Sequence, residues 1–156
     1  MALFTLDKEF NEIDEVQVMP DDYYDMLIVS EPKLEKNKAA KAGKSPEEGG
    51  GINLILNLRV VNDLDEFNGR KFWVYLRYPS KPDFKLKDAR TGRTMYDEKM
   101  VKLGIWHAAF NDGEFPEGNQ LNFEANMVAK VPVETNAEGN NEINPFGADP
   151  EATSGD

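Results

Sequence analysis

The sequence predicts a mainly β domain: a small antiparallel β-barrel with one helix between its third and fourth strands, long basic loops and an acidic C-terminal tail. Three observations carry this expectation. Apolar residues alternate with period 2 through Ile52–Val60, Phe72–Tyr78 and Leu121–Val133, as they do in strands with one buried face. Only Tyr96–Phe110 shows mixed spacing of three and four, the signature of an amphipathic helix. Between Lys33 and Arg93 stand 14 basic and 8 acidic residues, whereas the rest of the chain has 4 basic and 21 acidic.

Length and composition bound the reading. A chain of 156 residues corresponds to one domain with one hydrophobic core. We divide it into an N-terminal arm (1–20), a central domain (21–133) and a tail (134–156). There is no cysteine, which excludes disulfides and thiolate chemistry and suits a reducing cytoplasm. The first ten residues lack the basic and apolar regions of a signal peptide, and no apolar run approaches the ~18 residues of a membrane span. The expectation is a cytoplasmic protein with no membrane partner.

Taken in order, Leu6, Phe10 and Ile13 are spaced as a short amphipathic helix or a docking arm. Pro20-Asp21-Asp22 makes a turn, and Tyr23–Ser30 is a first strand. Residues 31–51 carry Lys33, Lys36, Lys38, Lys41 and Lys44 ahead of Pro46 and three glycines, and read as a long mobile loop. Ile52–Val61 is the second strand, and the polar run from Asn62 to Gly69 turns the chain back into the third, Arg70–Tyr78, as a hairpin. Residues 79–95 form a second basic loop with Lys81, Lys85, Lys87, Arg90 and Arg93. The helix Tyr96–Phe110 ends at Asn111-Asp112-Gly113, and Leu121–Val133 is the fourth strand. From Glu134 on there are six acids and no base, the composition of a disordered or loosely docked tail. This order is the layout of an OB-fold. Its fifth strand is expected either in the N-terminal arm or in residues 84–95.

The chemistry suggested is binding. Trp73, Tyr75 and Arg77 alternate on one face of the third strand, with Arg59 on its hairpin partner and Arg70 and Lys71 at its start. Single-stranded nucleic acid requires cations for phosphates and flat rings for bases, and this face with the loop lysines offers both. Two arrangements of Trp73 and Tyr75 remain open at this stage: exposed stacking platforms, or a second apolar face covered by the helix. Other motifs fail on spacing. Ala42-Gly43-Lys44-Ser45 has Lys38 where a phosphate loop needs its first glycine. Asp63, Asp65 and Asn68 lack the glycine position and closing glutamate of a calcium loop. His107 is the only histidine, so no histidine-based triad or His-rich metal site can be built. No catalytic group, cofactor or metal site is expected.

Three segments, Val18–Val29, Phe67–Trp73 and Asn140–Pro145, resemble phage OB-fold single-stranded-DNA-binding proteins of replication and recombination modules, a likeness spanning most of residues 16–146. The resemblance implies sequence-independent binding and protection of single-stranded DNA, and an acidic tail that recruits replication or recombination proteins. Here Phe146, Asp149, Glu151 and Asp156 would supply that tail, although its aromatic residue does not stand at the end of the chain as is commonest. Self-association is left open. The competing class is a phage structural or protein-interaction module, including an acidic DNA mimic, that binds no nucleic acid.

Overall fold

The computed structural model describes residues 2–13 and 17–153. Six strands form one antiparallel sheet: β1 (Asp22–Ile28), β2 (Lys33–Lys36), β3 (Ile52–Val60), β4 (Lys71–Tyr78), β5 (Val128–Thr135) and β6 (Asn141–Glu142). The helices are α1 (Lys38–Lys41) and α2 (Met95–Phe110), with short 3-10 turns at Phe10–Glu12, Pro46–Glu48 and Lys81–Lys85.

β3 organises the sheet. One edge pairs with β4 along its whole length, from Ile52↔Tyr78 to Arg59↔Lys71. The other edge is shared: β2 covers Ile52 to Ile55, and β1 covers Leu58 to Val60. Between these two strands the Val29 amide still donates to the Asn57 carbonyl, so β1 and β2 run as one strand broken at Ser30-Glu31-Pro32. Pro32 has no amide hydrogen to continue the ladder. β1 in turn pairs with β5 through six residues, and β5 with β6 through two.

The period-2 pattern is realised as expected in β3 and β4. Leu54, Leu56, Leu58 and Val60 point inward with Phe72, Val74 and Leu76, joined by Met26, Ile28, Val131 and Val133. The helix expected at Tyr96–Phe110 begins one residue earlier. The Thr94 side chain caps it by accepting from the Asp97 amide at 3.1 Å, and Asp97 and Glu98 complement the positive end of the helix dipole. Leu103, Trp106, Ala109 and Phe110 carry its buried side into the core.

The expected barrel does not close. β6 is only two residues long and pairs with β5, leaving the far edge of β4 without a strand partner among the described residues. Instead α2 packs against both β4 and β5, closing the core with side chains where a closing strand would have supplied backbone hydrogen bonds. Among the described residues, neither place considered for the fifth strand provides one. Phe10–Glu12 is a 3-10 turn, and residues 84–95 contribute a single bridge, Lys87↔Thr94.

Two further expectations are corrected, and the tail takes the docked one of its two expected arrangements. The segment 31–51 is not one open loop: it contains β2 and α1, and Asn37 between them ties the start of α1 to the returning chain at Gly49 and Gly51. The Asn37 side chain accepts from the Gly51 amide and from the Ala40 amide at the start of α1, and donates to the Gly49 carbonyl. A Cβ on Gly50 would run into the Lys44 carbonyl, so the tight return requires glycine there. The strand expected from Leu121 begins only at Val128. Leu121, Phe123 and Met127 pack, partly buried, against the core without strand pairing, and Asn126 turns the chain with φ 75°. Finally, residues 134–153 are docked: Ile143 is buried, Glu151 exchanges backbone hydrogen bonds with Lys130, and the Asn141 amide clasps the Met19 backbone as both donor and acceptor.

Candidate nucleic-acid interface

The outer face of the β3–β4 hairpin is the surface opposite the core. Cross-strand partners share a face, so Arg59 lies beside Lys71, Asn57 beside Trp73, Ile55 beside Tyr75, and Asn53 beside Arg77. β2 extends the same face, with Lys33 beside Ile55 and Glu35 beside Asn53. Trp73 is 58% exposed and Tyr75 51%. The helix therefore does not cover them: α2 packs on the inner side of the sheet, and the two rings stand in solvent. Residues two apart on a strand are separated by about 7 Å. Two bases stacked on these rings would be spread beyond the ~3.4 Å rise of a stacked duplex strand, the geometry of an extended single strand.

Lys33, Arg59, Lys71 and Arg77 surround the rings, and among the described residues none of the four is in a salt bridge. The neighbouring carboxylate of Glu35 lies 4.0 Å from the Lys41 ammonium, so part of its field is met locally. At the turn end of the hairpin, Arg59 borders a depression of about 420 Å3 formed with Val61, Asp63, Asn68 and Gly69. Asp63, Asp65 and Asn68 serve the turn itself: the Asp65 carboxylate accepts from the Phe67 amide and the Asn68 side chain from the Asn62 amide.

The other expected residues lie elsewhere, except Lys41, whose ammonium reaches Glu35 at the β2 edge of the face. Lys36 pairs with Ile52 and faces the opposite side of the sheet from Lys33. Arg70 lies over the Phe67 ring at 5.3 Å and donates to the Gln17 carbonyl, which fixes the entry of the N-terminal segment. Lys38, Lys41 and Lys44 belong to α1 and the turn after it, at the end of the sheet where Lys36, Ile52 and Tyr78 align. Lys81 and Lys85 lie in the 3-10 turn that packs on α2. Lys87, Arg90 and Arg93 follow in a turn built on Asp88, whose carboxyl is held below its ordinary value by hydrogen bonds from the Arg90 and Thr91 amides. Arg93 is 3.9 Å from Glu98. In the tail, Asp149 pairs with Lys102 at 3.1 Å and its carbonyl accepts from the Tyr23 hydroxyl, while Phe146 is exposed. Asp156 lies outside the described residues.

No family model, curated protein or solved structure matches the chain significantly.

Asn53 and Asn57, absent from the expected set, occupy the floor of the face, and the Oδ1 atom of each is buried without a hydrogen-bond partner. Their signal was present in the sequence: asparagine is disfavoured within strands, and both fall on the polar phase of β3. His107 is a packed helix residue, its Nδ1 2.9 Å from the Glu114 carbonyl and its ring edge-on to Phe123.

Proposed function

We propose that this protein is a non-catalytic single-stranded-DNA-binding protein that covers and protects strands exposed during phage DNA replication or recombination in the host cytoplasm. The observation that carries this reading is the outer hairpin face, where two exposed rings at strand spacing are bordered by four cations from three strands. Each element has a purpose in such a complex: the rings stack on bases whatever their identity, and the cations follow the phosphates. The broken β1–β2 strand, the β3–β4 hairpin and the helix before β5 support reading the sheet as an open relative of the OB-fold barrel. The resemblance of Val18–Val29, Phe67–Trp73 and Asn140–Pro145 to phage proteins supplies the biological setting. Phe146, exposed beside the acidic tail residues, is the proposed contact for replication or recombination proteins.

Salt dependence tests the electrostatic half of the proposal. With Lys33, Arg59, Lys71 and Arg77 each meeting one phosphate, log K for an oligothymidine should fall with log salt at a slope of roughly −3, at ~0.7 per contact. Replacing Lys71 with Gln should reduce that slope by about one contact's worth. Binding that is unaffected by salt would exclude this face as the phosphate track.

A further inference from the structure

The N-terminal arm carries apolar side chains that its own fold does not use. Leu3, Phe4, Leu6, Phe10 and Ile13 are all exposed, from 60% at Ile13 to 90% at Phe4. On the body, an open groove of about 560 Å3 runs between β2 and α2, with Leu34, Leu54, Tyr78, Tyr96, Met100 and Phe123 among its lining. Its size falls in the range of clefts that take a ligand or a few side chains. Apolar surface of this extent, on both the arm and the groove, is removed from water only by a partner.

The charges match as well. Asp7, Glu9 and Glu12 punctuate the arm, against a single Lys8. Lys36 stands on the same face of β2 as the lining residue Leu34, and Lys81 and Lys85 bound the turn whose Phe84 stacks on the lining residue Tyr96 at 4.0 Å. Two carboxylates lie there as well, Glu31 in the lining and Glu117 between the lining residues Pro116 and Gly118. In the single chain the arm does not occupy this groove: its apolar side chains are exposed and none of them is among the groove's lining. Gln17 is held by Arg70 and Glu66 at the hairpin turn, whereas the groove is reached at Leu54 and Tyr78, about 23 Å away along β4.

We propose that this groove receives the N-terminal arm of a second copy of the chain, with Leu3, Phe4 and Leu6 entering it and the arm's acids meeting the lysines. Arm and groove are different surfaces, so the contact is heterologous, and each copy can donate one arm and accept another. Copies then join head to tail, independently of what the hairpin face binds.

The absence of cysteine from the chain makes the test clean. Two single variants, Leu6→Cys and Leu34→Cys, are mixed under mild oxidation, with Leu6→Cys plus Leu64→Cys as the control because Leu64 is exposed on the hairpin turn. All three sites are solvent-exposed, and circular dichroism confirms that each variant folds. The expected result is at least about tenfold more covalent dimer from the Leu34→Cys mixture than from the control, since docked thiols react at a high effective concentration. Sedimentation of the unmodified chain should show mass rising with concentration, and the Leu3→Ala/Phe4→Ala/Leu6→Ala variant should remain a single chain. The proposal is overturned by dimer yields equal to the control, by a Leu6→Cys/Leu34→Cys double variant that closes only within one chain, or by association that survives the triple substitution.

Discussion

Replacing Trp73 and Tyr75 together with alanine should weaken oligothymidine binding by roughly a hundred- to a thousandfold while leaving the melting temperature nearly unchanged. A base stacked on an aromatic side chain contributes about 1–3 kcal/mol, and ~1.4 kcal/mol is a factor of ten in affinity. Stability should be spared because both rings are more than half exposed on the face opposite the core. Trp106 provides the contrast. It is 1% exposed between α2 and the sheet, and its truncation to alanine should cost stability, about 3–5 kcal/mol, without touching the hairpin face. A titration of the double variant beside its thermal melt separates the two cases. Unchanged affinity would remove the rings from the binding site, and a collapsed melting temperature would mean that they hold the fold.

The second large effect lies at Asp83, which is 2% exposed. One of its oxygens accepts from the Ser80 amide at 2.8 Å and from the Lys99 ammonium at 2.9 Å, so a single carboxylate both caps the Lys81–Lys85 turn and ties it to α2. Removing one member of a buried ion pair leaves the other charge without a partner and costs about 3–5 kcal/mol. Asp83→Ala should therefore lower the melting temperature by about 10 °C, at the ~2–4 °C per kcal/mol typical of a chain this size. The Asp83→Leu/Lys99→Met pair, which removes both charges, should recover much of the loss. Equal destabilisation in the single and the double variant would show that the capping bond to Ser80, and not the unpaired ammonium, dominates.

The elements legible in the sequence are those whose burial follows from local periodicity. The alternating residues of β3 and β4 divide into core and solvent faces as their spacing dictates, and α2 is carried by Leu103, Trp106 and Phe110 with a threonine cap at its start. The rings of the candidate site follow from the same alternation. The remainder depends on partners distant in sequence. β2 contains one apolar residue, Leu34, and exists because the edge of β3 offers it hydrogen bonds. The tail docks through Ile143 and through the Asn141 side chain, which pairs with the Met19 backbone as a neighbouring strand would; neither leaves a periodic trace. Conversely, the alternation of Leu121, Phe123 and Met127 suggests a strand where the chain packs without pairing. Charge was a coarser guide. Of the clustered basic residues, Lys33, Arg59, Lys71 and Arg77 share the hairpin face, while Arg70 and Arg93 engage their own neighbours.

The central claim is that the outer face of β3–β4 binds single-stranded DNA, and the fluorescence of the two tryptophans reports on it directly. Trp106 is shielded in the core, so a change in emission on adding oligothymidine at low salt must come chiefly from Trp73. The account predicts saturable quenching that is reversed by added salt and absent in Trp73→Phe. Emission that stays constant through the titration at low salt, with both tryptophans intact, would contradict it.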